Sequence, residues 1–96
     1  MAGEEVRRTR LTISHPTGLH ARPAVKLTKL AKSFDAAIRL RGLPDGDWVD
    51  AKSIVKVMAL KLKTGTEVEI EAQGTAAEAA IAGISDLVGR NFDEEG

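Results

Sequence analysis

Glutamates alternate strictly with apolar residues over residues 67–72, and this stretch constrains the fold more than any other feature of the chain. Successive side chains of a strand point to opposite faces, so the alternation predicts a strand with one apolar face and one solvated face. Such a strand needs a second layer of structure over its apolar face only. We therefore expect a sheet that is covered on one side.

Three further segments have the pattern of strands. Residues 6–14 and residues 37–41 alternate apolar side chains with charged or polar ones, and residues 48–51 are expected to form a short returning strand. Residues 42–47, between the last two, are rich in turn-forming residues. This arrangement predicts a hairpin whose loop is longer than the minimal two residues.

Three segments have the spacing of helices. Residues 21–33 place apolar residues on one side and lysines on the other, which predicts an amphipathic helix with a basic outer face. Residues 54–60 follow Ser53, a favoured N-cap residue, and predict a short helix. Residues 75–90 begin with the pattern of a capping box at Thr75 and carry a continuous apolar stripe, which predicts the last helix.

The predicted order of elements is strand, helix, strand, strand, helix, strand, helix. It indicates an α+β domain with two layers, in which an antiparallel or mixed sheet has its helices on a single face. Periodicity does not predict the order of the strands in the sheet. Because 96 residues are too few for two cores, we assign residues 1–96 to one domain. Its core is expected at about residues 6–90, followed by an acidic tail at residues 91–96 in which residues 93–95 are frayed.

Composition excludes several classes of protein. The chain is 43% hydrophobic and 29% charged with a formal net charge of zero, as expected for a globular protein rather than a disordered one. No apolar run approaches the roughly 18 residues of a membrane-spanning helix, and residues 1–8 lack the apolar core of a secretory signal. The chain has no cysteine, which is compatible with a reducing compartment. We therefore expect a cytoplasmic protein without membrane insertion.

Charge is distributed unevenly along the chain. Residues 1–34 contain seven lysines and arginines against two acids, whereas residues 64–96 contain one against eight. This separation predicts faces for different neighbours, and a basic patch can steer an acidic partner to its site. The alternative is the ordinary variation of charge over the exposed faces of a small domain.

Most kinds of reactive site find no support in the sequence. His15 and His20, the two histidines, are five residues apart, which is not a metal-binding spacing, and no cysteine could complete a site, so we expect neither metal nor cofactor. The glutamates of residues 67–72 are expected to solubilise a strand face. The chain has no glycine-rich nucleotide loop, and its three aromatic residues are too few for stacking on bases, so no nucleic acid is expected as a partner.

The remaining candidate is the stretch that runs from Gly18 through His20 and Arg22 to Pro23. Glycine permits a sharp turn, and proline is tolerated in the first turn of a helix, so His20 is expected at or beside an N-cap. Backbone N–H groups converge there, and the helix dipole stabilises an anion attached to the imidazole. A polar cap or surface residue is the alternative interpretation of His20, and the neighbouring Arg22 favours function.

Residues 18–24, GLHARPA, resemble the active-site signature of HPr, the histidine phosphocarrier family of the bacterial phosphoenolpyruvate-dependent phosphotransferase system. A second block, residues 52–60, resembles that family's second signature. The resemblance covers about residues 6–88 and implies an open-faced sandwich of four antiparallel strands and three helices. Thr17 stands where the family commonly has asparagine, and the loop at residues 43–48 is longer than usual.

The resemblance implies roles for four residues of the first block. His20 is expected to accept a phosphoryl group from enzyme I on its Nδ1 atom and to pass it to an acceptor protein. Arg22 is expected to pair with the phosphoryl oxygens through its planar fork, which lysine would not reproduce. Gly18 and Ala21 are expected to support the phosphoryl group. The protein is then a carrier with a phosphohistidine intermediate rather than a stand-alone enzyme.

The second block is expected to serve partner proteins. Ser53 matches the family's regulatory serine, which a serine kinase modifies in some bacteria, although its position as an N-cap already explains it. Ile54, Val55 and Met58 resemble the exposed apolar patch that binds partners, with a part in the core as the alternative interpretation. Lys29 and Lys32 are expected to surround the patch and to steer acidic partners.

The function implied is that of a monomeric phosphocarrier between enzyme I and an EIIA-type acceptor. The alternative is a non-catalytic regulatory module that binds proteins with the same face. Residues 91–95 resemble the ending of the nitrogen-related phosphocarriers, NPr, more than that of the sugar-transport branch. Similar endings occur in HPr-like domains of multidomain phosphotransferase proteins and of dihydroxyacetone kinase components, and these branches stay open at this point.

Overall fold

One antiparallel four-stranded sheet runs through the computed structural model, which describes residues 5–93. Its strands are β1 (Val6–Thr12), β2 (Ala37–Gly42), β3 (Val49–Asp50) and β4 (Glu67–Gln73), and they lie in the order β1-β4-β2-β3. The last strand in sequence is therefore inserted between the first two. The expected hairpin of β2 and β3 forms, with only Arg39 and Leu40 paired to β3.

The helices are α1 (Ala21–Lys32), α2 (Ile54–Ala59) and α3 (Ala77–Gly89), and together they cover one face of the sheet. The core forms between the layers, where the apolar side chains of the strands meet those of the helices. Its largest buried side chains include Ile13, Leu27, Leu40, Val57, Ile70 and Ile84. The α+β two-layer prediction is confirmed.

Strand β4 lies between β1 and β2, and this position explains the pattern of its glutamates. Val68 and Ile70 enter the core, as predicted, while Glu71 lies on the outer face opposite Arg8 of β1 and Arg39 of β2. Glu71 receives hydrogen bonds from Arg8 Nε at 2.7 Å and from Arg39 Nε at 2.6 Å, and only 6% of it is exposed. The expectation of a solubilising role is therefore wrong for Glu71, because the register places an arginine on each side of it.

Two of the expected helix starts are confirmed and one is wrong. His20 is the N-cap of α1, and Ser53 is the N-cap of α2, where its Oγ accepts the backbone N–H of Lys56 at 3.3 Å. Helix α3 has Ala76 as its N-cap, with no side-chain capping bond. A turn in which Ala77 N donates to Gly74 O (3.2 Å) precedes the helix, and it leaves Thr75 outside the capping position.

The chain beyond α3 contributes to the core, contrary to the expected tail. A short turn, Asn91–Asp93, follows the helix, and the Phe92 side chain is completely buried. Asp93 is held by Arg90, whose Nε donates to Asp93 Oδ1 at 2.8 Å. The expected fraying is thus wrong for residue 93, and residues 94 and 95 lie outside the described residues. Phe92 stands next to a run of acidic residues in the sequence, and this run led to the prediction of a solvated tail, whereas the Phe92 side chain lies in the core.

Candidate functional site

The loop between β1 and α1 is fixed by backbone hydrogen bonds to the segment after α2. Gly18 N donates to His15 O at 2.8 Å and closes a turn, and Leu19 N donates to Leu62 O at 2.8 Å. The Leu19 side chain is buried directly before the N-cap of α1. The loop therefore delivers His20 to a defined place at the start of the helix.

Gly18 is required by this geometry for two reasons. Its φ of +73° lies in the left-handed region, which residues with a Cβ adopt at a cost in free energy. A Cβ at this position would also lie 2.4 Å from Leu62 O, the acceptor of the hydrogen bond from Leu19 N. The expected role of Gly18 in shaping the loop agrees with both observations.

His20 presents its imidazole to solvent. The residue is exposed, its backbone is extended (φ −134°, ψ 163°), and its side chain makes no capping bond to the helix. Within residues 5–93, the backbone N–H groups of Ala21 and Arg22 find no acceptor, because they precede the first helical hydrogen bond. These amides and the positive end of the helix dipole favour an anion on the imidazole.

Ala21 begins α1 with a φ of 36°, which is left-handed for a residue with a side chain. Such a conformation persists only where the surrounding structure determines it. On the C-terminal side of Ala21, the buried Pro23 helps to determine this conformation, because its ring restricts its φ. The strained residue lies between the expected phosphoryl acceptor and the expected phosphoryl-binding arginine.

Arg22 shares a shallow surface depression with His20. The depression is lined by His15, Thr17, His20, Ala21, Arg22 and Pro23. Arg22 is exposed and has no ion-pair partner in the described part of the chain, so its guanidinium is available to an incoming anion. Lys29 lines an adjoining depression with Arg22, while Lys32 lies exposed in the last turn of α1.

The end of α2 also lies near His20. A second depression joins His20 to Met58, Leu62 and the lysines Lys61 and Lys63. Val55 is 75% exposed, whereas Ile54 and Met58 are partly buried against the core, so this apolar stripe is divided between the surface and the core. Sequence reasoning missed Lys61 and Lys63, although two cations directly after a predicted helix were a signal.

Ser53 lies at the far end of α2 from His20. It lines neither depression, and its hydroxyl is engaged in capping the helix. Six helical residues at 1.5 Å each separate the two ends by roughly 9 Å. The structure therefore brings Met58, but not Ser53, to the histidine.

His15 is buried, unlike His20, and its ring contacts Thr17 and Phe92. Over residues 5–93 no group of three possible metal-ligating side chains comes together. In the same residues, no helix is long and apolar enough to cross a membrane.

An open-faced sheet covered by three helices, with an exposed histidine as the N-cap of the first, defines the class of histidine-containing phosphocarriers. The family model described as "PTS HPr component phosphorylation site" matches residues 7–90. The chain belongs to this HPr family of phosphotransferase-system phosphocarriers.

Relatives of known name agree with this assignment. Phosphocarrier protein NPr of Escherichia coli (strain K12) is 37% identical over 83 residues, which cover 86% of this chain and 91% of that protein. Phosphocarrier protein HPr of Mycoplasma capricolum is 43% identical over 72 residues, which cover 75% of this chain and 79% of the relative. The crystal structure of HPr from Thermoanaerobacter tengcongensis superposes with a TM-score of 0.87 at 36% identity, covering 94% of this chain and 99% of that one.

Proposed function

We propose that this phosphocarrier receives a phosphoryl group from enzyme I on His20 and passes it to an EIIA-type acceptor. The observation that carries the proposal is the position of His20, an exposed N-cap beside Arg22 whose imidazole, like two amides of the first helical turn, has no hydrogen-bond partner within residues 5–93. In this proposal the protein works as a cytoplasmic monomer that alternates between two partners.

The transfer exchanges one phosphorus–nitrogen bond for another. The lone pair of the neutral His20 imidazole attacks the phosphorus of the donor's phosphohistidine, and the donor's P–N bond breaks as the new one forms. Negative charge is spread over the phosphoryl oxygens, where the Arg22 guanidinium and the amides of Ala21 and Arg22 stabilise it. The second transfer runs by the same steps with His20 as the donor. Because both sides are phosphohistidines, the step has no large driving force, and the relative amounts of phosphorylated and free partners decide its direction.

The apolar stripe of α2 is the proposed docking surface. Val55 is largely exposed, and Ile54 and Met58 extend its apolar surface toward the core. Lys29 and Lys32 on α1 provide positive charge beside it, which increases the rate of encounter with an acidic partner. Both partners would use this surface in turn, since His20 lies at its edge.

The acceptor that we would test first is an EIIA protein of nitrogen regulation. The relatives include proteins named NPr at 37% identity over most of the chain, and the C-terminal residues resemble that branch. An EIIA of a sugar transporter is the matched comparison. In a competition between the two EIIA proteins, the one that takes up the phosphoryl group faster shows whether the carrier belongs to the nitrogen or the sugar branch.

Ser53 is the proposed site of a regulatory serine kinase. A phosphate there would lie at the N-terminus of α2, where backbone amides favour it, and would add negative charge beside Ile54 and Val55. Phosphorylation is then expected to slow docking of acidic partners. A kinase preparation that labels the wild-type protein but not Ser53→Ala tests this role.

The decisive experiment incubates the protein with phosphoenolpyruvate and enzyme I of the source organism. We expect one acid-labile phosphate on the wild type, none on His20→Ala, and an unchanged amount on His15→Asn, which removes the other histidine. Label on His20→Ala, or no label on the wild type, contradicts the proposal. A His20→Ala protein that binds its partners and signals normally would instead establish the non-catalytic regulatory module.

A further inference from the structure

A buried histidine lies directly behind the exposed one. His15 is 5% exposed, yet it lines the same depression as His20 together with Thr17 and Arg22. The phosphoryl chemistry proposed above does not use this ring. Its contacts therefore need a separate explanation.

The ring of His15 organises the loop through Thr17. The backbone N–H of Thr17 donates to His15 Nδ1 at 3.1 Å, and the Thr17 hydroxyl lies 2.9 Å from the same atom. An amide N–H can only donate, so Nδ1 is the acceptor and the hydroxyl donates to it as well. The carbonyl of His15 in turn accepts from Gly18 N at 2.8 Å and from Thr64 Oγ1 at 2.5 Å. One residue thus fixes the turn that leads to His20.

The ring of His15 is itself held by the C-terminal turn. Phe92 packs against it edge to face, with ring centroids 6.2 Å apart and an interplanar angle of 72°. Lys26 of α1 donates from Nζ to Phe92 O at 2.8 Å, so the turn also contacts the helix that His20 caps. The turn therefore joins the loop before His20 to the helix after it.

The turn Asn91–Asp93 has an unfavourable backbone conformation. Asn91, Phe92 and Asp93 have φ values of 56°, 58° and 58°, all in the left-handed region that residues with side chains avoid. Three consecutive residues of this kind persist only where other contacts compensate. The complete burial of the Phe92 ring is the largest such contact.

We propose that the turn Asn91–Asp93 is a positioning element for His20, which acts through the contact of Phe92 with His15 and the hydrogen bond of His15 to Thr17. This inference rests on the proposed function of His20. His15 and Phe92 touch no reacting atom, and their role is to hold the His20 ring in the orientation that accepts the phosphoryl group. Loss of either contact leaves the docking surface of α2 intact and misplaces the imidazole.

The test compares five variants in the enzyme I assay. Phe92→Ala and His15→Ala each remove the ring contact between Phe92 and His15. His15→Asn restores an acceptor, because the asparagine Oδ1 reaches the N–H two residues ahead as the histidine Nδ1 does. Phe92→Leu keeps an apolar side chain in place, and Ile70→Val in the sheet is the control for a general loss of stability.

We expect Phe92→Ala and His15→Ala to lower kcat for phosphoryl acceptance by roughly 10- to 100-fold, since misplacement of a reacting group by about 1 Å has effects of this size. KM for the carrier should stay within about twofold, because the docking surface is unchanged. His15→Asn should recover part of the rate, because it restores the acceptor for Thr17 N but not the ring that Phe92 contacts. Phe92→Leu should also be intermediate, and Ile70→Val should match the wild type.

Two results overturn the proposal. One is a kcat for Phe92→Ala and His15→Ala within about twofold of Ile70→Val, and the other is a His15→Asn protein as slow as His15→Ala. Amide chemical shifts separate this failure from failure of the proposed function, because they need no phosphoryl transfer. Phe92→Ala should move the amide resonances of Thr17 and His20 while Ile70→Val does not, and unmoved resonances refute the positioning role even if the wild type takes no phosphate.

Discussion

Three residues of the first block do different physical work within five positions. Gly18 permits the turn, His20 ends it as the N-cap of α1, and Arg22 places a guanidinium at the second residue of the helix. Each role depends on a property that no common substitute shares: the freedom of glycine to adopt a positive φ, the nucleophilic ring nitrogen of histidine, and the planar fork of the guanidinium. Substitutions that keep size or charge but lose that property are therefore the informative ones.

Arg22→Lys keeps the positive charge and loses the fork. We expect roughly a 10-fold lower initial rate of phosphoryl acceptance by His20, because a lysine cannot make two parallel bonds to the phosphoryl oxygens. Rates with enzyme I and phosphoenolpyruvate measure the effect. Arg10→Lys, on the exposed face of β1, is the matched control and should equal the wild type. Equal rates for the two variants would show that the fork is unnecessary.

Gly18→Ala should destabilise the fold by at least about 2 kcal/mol, through the left-handed backbone and the close approach of its Cβ to Leu62 O. Gly89→Ala is the control, since no atom lies within 4 Å of a Cβ there and a helical glycine is replaced. Its free energy of unfolding should be unchanged or raised by about 0.5–1 kcal/mol. Urea denaturation of both variants measures the difference, and equal stabilities would contradict this account of the loop.

At the scale of elements, α2 is the most weakly formed helix. It has six residues, three of them β-branched, and only Val57 is fully buried. A helix this short gains little from its own hydrogen bonds, so the cap at Ser53 and the packing of one side chain matter more than in α1. The proposed docking surface is thus carried by the shortest of the three helices.

Ser53→Ala removes the acceptor for the Lys56 N–H and should lower the free energy of unfolding by about 1 kcal/mol. Ser53→Asp keeps an acceptor and places a negative charge at the helix N-terminus, so its stability should match or exceed that of the wild type. Chemical denaturation followed by circular dichroism gives both values. If Ser53→Ala were as stable as Ser53→Asp, the capping bond would contribute nothing.

At the scale of the whole molecule, ion pairs join neighbouring strands on the uncovered face of the sheet. Glu71 accepts from arginines on both neighbouring strands, and Arg41 donates to Glu69 at 2.8 Å in the next row. Arg39 and Arg41 also lie 4.5 and 4.8 Å from the ring centroid of Trp48, the one tryptophan of the chain. Trp48 fluorescence therefore reports on this face during unfolding.

The hydrogen bonds from Arg39 and Arg8 hold the pKa of Glu71 below its ordinary value of 4.5, although burial opposes them. A carboxyl whose pKa is lower in the folded state stabilises the fold above its unfolded pKa, and this contribution is lost as the pH falls through its folded pKa. At pH 7, Glu71→Gln should be less stable than the wild type by about 1–2 kcal/mol, the half-exposed arginines being partly screened by solvent.

Urea denaturation between pH 7 and pH 3 measures this dependence. The difference between wild type and Glu71→Gln should shrink below about pH 4.5, where the unfolded carboxyl takes up its proton. Glu67→Gln, at the exposed end of the same strand face, should differ from the wild type by no more than about 0.5 kcal/mol at pH 7. A difference at Glu71 that stays constant down to pH 3 would contradict the ion-pair explanation.

The sequence alone determined the local structure and the place of His20 at the start of α1. Alternation in β4, helical spacing in α1 and the N-cap positions of His20 and Ser53 are properties of one segment, which short-range sterics and hydrogen bonding decide. Only the tertiary structure decided that β4 lies between β1 and β2 and that Glu71 is buried. It likewise decided that Lys61 lies near His20 and that Phe92 packs against His15. These contacts join residues far apart in the chain, and the free energy of the complete core selects among partners that local pattern leaves equivalent.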